Sequence, residues 1–467
     1  MRDLLKTYEG KVIVLIVLLF AVRLFHITDP PIEVSHNWRQ TTSLMVARNF
    51  YQLDNNIFYP TLDETGDQRG VVGMEFPVLS YSIYLTSTIF GYDHWYGRLI
   101  TLIVVSFGLW YFYQLLALYF EKKQALYATI ALAFSALFHL ARKVLPDPVS
   151  LSLIVIGLYY GVQFLRTSKW KYLPLYFLFA TLGALVKIPF GLYLAVLAFP
   201  FFEKGIGAKT RIAFAIASIL CLTAVFWWYF VWNVHLSETY GLWYNSGRSL
   251  KDGFRELGEN FGDVLYKFYF SSFHGYLFFV MTVAGLIYVI KSKEKKILWL
   301  LAITAPLFFV YMSKSGFLFA HHGYYALVIV PVMCVLVGYF AVKIPSKWAT
   351  ILLVVCIGES IANQYHDFFI RKSEYFKIHL EEISAQITQP NDLVALATNL
   401  NPSEFYFLNR KGWMVDANDV NEEFLSVLQK RGCKFLFLRR DKYNEALPFP
   451  RVFEDHEYVV FGLNTNE

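Results

Sequence analysis

The chain has 467 residues, of which 56% are apolar and only 17% charged, and its mean hydropathy is +0.41. One soluble core of this length does not need so much apolar surface, so the surplus must face lipid and a purely soluble fold is excluded. The formal charge of +6 alone would admit nucleic acid as a partner. The basic residues instead recur between apolar runs without forming one patch, which excludes a nucleic-acid surface and marks them as orientation signals.

In chain order, the first apolar run, Lys11–Ile27, has the basic flank of a signal peptide. Thr28-Asp29-Pro30-Pro31 after it offers no small-residue cleavage site, so the run is expected to stay as a first span. A bilayer core of roughly 30 Å needs about 20 apolar residues per helix. On that measure further spans are expected at 98–120, 125–141, 149–165, 172–186, 188–202, 212–234, 275–290, 297–311, 323–342 and 348–365. The fold class is therefore mainly α, polytopic, with about eleven membrane helices.

Alternate connections carry Arg2, Lys6 and Lys11, then Lys122 and Lys123, then Arg166, Lys169 and Lys171, then Lys204, Lys209 and Arg211. The series closes with Lys291, Lys293, Lys295 and Lys296, and with Lys343 and Lys347. Strict alternation puts these loops and the amino end in the cytoplasm, and the other connections outside. Two outer segments are long, 28–97 and 235–274. In the first, Trp38–Tyr51 and Pro77–Phe90 have the spacing of interfacial helices, and in the second Phe254–Phe270 is amphipathic. From about Arg371 the composition becomes that of a soluble α/β module. Strands are expected at Asp392–Thr398, Lys434–Arg439 and within Val452–Leu463, with a helix over Asn421–Lys430 ended by Gly432. The expected domains are a membrane module over 1–370, both outer loops included, and an outer α/β domain over 371–467. Cys221, Cys334 and Cys356 lie in apolar runs and Cys433 stands alone, so no disulfide framework or metal knuckle follows.

Ionisable groups gather on the expected outer face, where each costs several kcal/mol unless paired or solvated. Glu33-Val-Ser-His36-Asn-Trp-Arg39-Gln40 either joins a proton acceptor to an anion binder or is a helix start capped by Ser35 or Asn37. In Arg142-Lys-Val-Leu-Pro-Asp147-Pro, the acid is either an N-cap or a catalytic group. Lys187 in L-V-K-I-P either snorkels to the surface or attracts an anionic headgroup. Phe319-Ala-His321-His322-Gly-Tyr324-Tyr325 is a weak metal signal, because adjacent positions on a helix point apart. Its histidines serve equally as phosphate donors beside a helix amino end, and its tyrosines as interfacial aromatics. In Asn409-Arg-Lys-Gly412-Trp413, Gly412 is expected as a tight turn and Trp413 as a core anchor.

The strings H-N-W-R-Q-T-T, V-A-R-N-F, E-F-P, G-R-L, L-P-D-P, L-V-K-I-P, H-H-G-Y-Y and N-R-K-G-W, in this order, resemble bacterial glycosyltransferases of the GT-C fold. The likeness is to protein O-mannosyltransferases and lipid A aminoarabinose transferases. It implies transfer of a hexosyl or pentosyl unit from a polyprenyl-phosphate donor to a lipid, glycan or protein acceptor at the outer face of the bacterial inner membrane, with inversion. It implies an acid in the first outer loop and another before the fourth span, which falls on Glu33 and Asp147. The chain departs from the aminoarabinose pattern in two ways: His36 lies between Glu33 and Arg39, leaving either Glu33 or His36 as base, and Glu75 stands where those enzymes carry a phosphate-binding lysine. Arg39, Gln40, Arg98, Lys187, His321, His322, Tyr324 and Tyr325 are then the candidates for the lipid phosphate and sugar. No cofactor is implied; a divalent metal serves some GT-C enzymes and not the nearest ones. The competing classes are a lipid-linked glycan flippase or transporter, which usually shows two related halves, and a polysaccharide polymerase or ligase, which usually keeps its large loop late.

Overall fold

The computed structural model describes residues 4–242, 247–398, 401–442 and 447–463. Arg2 and part of the second long loop fall outside these. The chain divides into two units. A helical unit comprises Met1–Ile27, Arg98–Val231 and Asn245–Phe368, and a mixed unit comprises Thr28–Gly97, Trp232–Tyr244 and Phe369–Glu467. The sequence reading kept residues 28–97 with the spans. The structure groups them with the carboxy-terminal module because the loop's own charges and backbone are satisfied there, as described below.

Among the described residues four helices are long and apolar enough to cross a membrane: Trp95–Ala117, Pro146–Thr167, Ala208–Tyr240 and Lys295–Ser315. Shorter apolar helices at Tyr172–Val186, Ile188–Phe201, Leu277–Ser292 and Val330–Lys343 accompany them. The protein is a multi-pass membrane protein. Helix–helix contact in the helical unit rests on small residues, as expected where lipid supplies no hydrophobic drive to association. A Cβ on Gly157 would stand 2.8 Å from the Ala180 nitrogen, and one on Gly183 would stand 2.9 Å from the Ile154 nitrogen, so Pro146–Thr167 and Tyr172–Val186 pack backbone against backbone.

Helix ends inside this unit leave carbonyls that water cannot reach, and buried arginines satisfy them. Arg23 donates to Phe138 O (3.0 Å) and Ala133 O (3.1 Å). Arg142 donates to Phe25 O (2.9 Å) and His26 O (2.8 Å), and Arg98 to Ile27 O (3.0 Å). All three side chains are fully buried. Arg98, a sequence candidate for the lipid phosphate, thus spends guanidinium hydrogen bonds on the chain that follows the first helix.

The mixed unit holds a five-stranded sheet in the order β2-β1-β3-β5-β4. The strands are β1 Leu393–Thr398, β2 Gly412–Asp416, β3 Cys433–Arg439, β4 Arg451–Glu454 and β5 Tyr458–Gly462. The pairs β1–β2 and β1–β3 are parallel, and β3–β5 and β4–β5 antiparallel. Helix Glu422–Lys430 begins where Asn421 accepts from the Phe424 amide (2.9 Å) and ends before Gly432, whose φ is +92°. Gly412 is not the turn. Asn409 takes the left-handed conformation (φ 52°), and Gly412 opens β2 with its amide on Asp63 O (3.0 Å) and its carbonyl on the Gly66 amide (2.6 Å). Glycine is required there because a Cβ would collide with the β1 backbone at Val394. Trp413 packs on the sheet core beneath Arg431.

Candidate functional site

In the helical unit, Asp147 lies in the first turn of Pro146–Thr167 and is buried, while the N-cap position falls to Leu145. The capping reading of Asp147 is thereby corrected: Pro146 already occupies the first helical turn and shifts the acid inside it. One turn on, Ser150 donates to Gly183 O (2.7 Å) and Lys187 O (3.2 Å), tying this helix start to the point where Tyr172–Val186 ends. Lys187 is extended (φ −158°, ψ 104°) because Pro189 stops the helix, and a tight 3-10 segment, Ile188–Leu197, follows. A second break is built alike: His322 is extended and precedes the 3-10 segment Gly323–Val328. Tyr193 joins the two breaks through a short hydrogen bond to Val328 O (2.5 Å).

The breaks gather charge. His322 stacks on Tyr325 (centroids 5.6 Å, 25°), and Tyr325 stacks on Tyr311 (6.0 Å, 15°). Asp147 lies within electrostatic reach of Tyr311. Burial pushes the His322 imidazole below its ordinary value, and Lys267, Lys187 and His321 add to the effect. Lys267 is itself buried, and burial lowers its ammonium against the pull of Asp263. The structure gathers Lys187, His321 and His322 at these breaks, with Tyr324 and Tyr325 packed against His322. It adds Lys267, which sequence reasoning missed. The available signal was a lone lysine inside the aromatic run Y-K-F-Y-F, hidden by the amphipathic pattern around it. Lys267 opens a π-helical turn, Lys267–Ser271, that packs on Gly323–Val328.

A second buried cluster in this unit also went unread. Lys143 pairs with Asp367 (3.3 Å), and His139 lies 2.6 Å from Gln364 Oε1 and edge-on to His274. Burial works to raise Asp367, but His139, Lys143, His366 and His274 outweigh it and hold the carboxyl below the usual range. Among the described residues, no group of three or more His, Cys, Asp and Glu is arranged to hold a metal ion.

In the mixed unit, Glu33 is buried and bridges Ile370 across the backbone. Its carboxylate accepts from Gln40 Nε2 (3.2 Å). Ser35 and His36 are both left-handed (φ 66° and 64°), and helix Asn37–Gln52 starts with His36, not Ser35 or Asn37, at the cap position. Arg39 forms an ion pair with Glu75. Glu75 therefore occupies Arg39, which the sequence nominated for the lipid phosphate. V-A-R-N-F is structural: Arg48 binds Asp63 (2.8 Å) and Tyr406 O (2.5 Å), Asn49 binds the other Asp63 oxygen (2.8 Å), and Tyr92 meets the Tyr406 hydroxyl (2.9 Å).

The comparisons with known proteins agree with this architecture. A family model described as dolichyl-phosphate-mannose-protein mannosyltransferase matches residues 75–230. ArnT from Cupriavidus metallidurans in the apo state aligns with TM-score 0.66 at 13% identity, covering 98% of this chain and 99% of that one. ArnT bound to undecaprenyl phosphate aligns at 0.63 and 13%, covering 97% and 98%. The apo oligosaccharyltransferase of Archaeoglobus fulgidus aligns at 0.60 and 11%, covering 92% of this chain and 69% of that one. No curated protein matches the sequence. The chain is a multi-pass membrane protein of the GT-C fold.

Proposed function

We propose that the protein is a membrane glycosyltransferase that moves a sugar from a polyprenyl-phosphate donor to a lipid, glycan or protein acceptor at the outer face of a bacterial inner membrane. The observation that carries this reading is a cluster of cations at two helix breaks, with an apolar cavity lined in part by the segments that follow those breaks. Lys187, Lys267, His321 and His322 supply the positive charge. A cavity of about 110 Å³ is lined by Leu151 and Val155 from the Asp147 helix, Tyr193 and Leu197 after Lys187, and Pro331 and Val335 after His322, and it reaches Tyr119 and Lys296. An anionic head on an isoprenoid tail fits that pairing. Two likenesses support it: the ArnT structure with undecaprenyl phosphate holds a ligand of this kind, and the matching family model is described by a dolichyl-phosphate sugar. The alternating lysines support a cytoplasmic amino end, with residues 371–467 outside.

In this scheme a carboxylate, Glu33 or Asp147, takes the hydroxyl proton. The acceptor oxygen then bonds to the anomeric carbon from the face opposite the phosphate, and the bond from that carbon to the phosphate oxygen breaks. The polyprenyl phosphate leaves with added charge, which the lysines and histidines stabilise. The carrier phosphate is the leaving group, so no nucleotide site is needed.

The test uses purified protein in liposomes with a labelled polyprenyl-phosphate sugar. Asp147→Asn or Glu33→Gln should lower transfer by about 10³-fold or more while undecaprenyl phosphate still binds. Wild-type turnover in either variant removes that acid from the scheme. Movement of donor across the bilayer without any transfer would favour the flippase instead.

A further inference from the structure

Two consecutive left-handed residues without a glycine, Ser35 and His36, are an uncommon and strained piece of backbone, and persist only where the surroundings over-determine them. They join Glu33 to helix Asn37–Gln52. On one side the chain is pinned by the Glu33–Ile370 bridge and by the Val34 amide on Phe369 O (3.2 Å). On the other, Asn37 uses Oδ1 to accept from the Trp38 amide (2.7 Å) and Nδ2 to donate to Glu374 Oε2 (3.2 Å). That same Glu374 oxygen accepts from Lys377 Nζ (2.5 Å), and Lys377 is buried. Beneath it lies Glu404, also buried, accepting from the Tyr458 hydroxyl (3.4 Å) and facing Lys377, Arg439 and Glu374. The segment carrying Glu33 is therefore fastened at both ends to one stretch of chain, 369–377.

We propose that Glu374 is a positioning residue that, held by Lys377, fixes Asn37 and so sets the Ser35-His36 turn that presents Glu33. The inference rests on the reading of Glu33 given above. Glu374 does not act on substrate; it fixes a backbone that would otherwise relax to ordinary dihedrals and carry the carboxylate away.

The experiment has a readout that does not depend on that reading. All four native cysteines are buried, and Ser35 is exposed, so Ser35→Cys gives a single accessible thiol for maleimide labelling of the purified full chain. In that background Glu374→Ala, and Asn37→Ala from the other side of the bond, should each raise the labelling rate roughly tenfold. In the native background each should lower kcat roughly tenfold with KM for the donor within about twofold, since small misplacements of a reacting group act on turnover. The exchange Asn37→Asp with Glu374→Gln restores amide against carboxylate in reverse and should bring both readouts to within about threefold of the parent. Unchanged labelling in both single variants overturns the inference. So does faster labelling with unchanged kcat. Wild-type turnover in Glu33→Gln, by contrast, sinks the catalytic reading while leaving the labelling result intact.

Discussion

Two polar assemblies in this molecule are arranged by opposite rules. In the mixed unit Arg48, Asn49, Asp63, Tyr92 and Tyr406 match donor to acceptor and cation to anion. Asp63 outweighs burial and holds Arg48 firmly charged. In the helical unit the charges that reach His322 are Lys267, Lys187 and His321, all of one sign, and burial and repulsion together depress it. The first arrangement lowers the energy of the fold. The second raises it, and under the proposed function an incoming anion would relieve it.

Removing a member of the matched assembly should show the largest effect on stability. Arg48→Ala leaves Asp63 buried without its cation and takes the bond from Tyr406 O, so the mixed unit should lose about 3–5 kcal/mol. Thermal unfolding in detergent, or protease sensitivity of the module, checks this. A loss under about 1 kcal/mol would mean the network is decoration.

Glu404 is the exception that sharpens the contrast, a buried acid in the mixed unit that is only partly matched. Burial lifts its carboxyl from 4.5 to about 7, against Lys377, Arg439 and Tyr458. The folded protein therefore holds more protons than the unfolded chain between those values, and stability should fall as pH rises from about 4.5 to about 7. The full swing is ~3 kcal/mol at most. Glu404→Gln should flatten the slope of unfolding midpoint against pH in that window. A slope unchanged by the substitution places the titration elsewhere.

In the like-charged assembly the expectation reverses. Lys267→Met should leave stability unchanged or raise it slightly, yet increase KM for the donor roughly tenfold through loss of a phosphate contact. A drop in unfolding midpoint with KM unchanged would make Lys267 a brace.

The sequence made some of this legible and hid the rest for a physical reason. Tyr172–Val186, the helix ended by Gly432 and the strands flanking it follow from periodicity and punctuation, which are local. Asp147 was nominated by the prolines that flank it at a helix start, and Lys187 as a charge interrupting an apolar run, again local signals. Pairing is not local. Nothing in E-F-P says that Glu75 takes Arg39, nothing in G-R-L says that Arg98 serves carbonyls 71 residues away, and Lys267 gains meaning only where its π-turn meets Gly323–Val328. A charged residue in the sequence is a question about its partner, and the fold supplies the answer.

Arg39 puts that to the smallest test. As a phosphate ligand it would be sensitive to charge and tolerant of shape. As the partner of Glu75, with both side chains largely buried, it should depend on guanidinium geometry. Arg39→Lys keeps the charge and loses the fork, and should lower stability by about 1 kcal/mol while KM for the donor stays within about twofold. A tenfold rise in KM at unchanged unfolding midpoint would return Arg39 to the phosphate, and would mean that Glu75 only holds it until the carrier arrives.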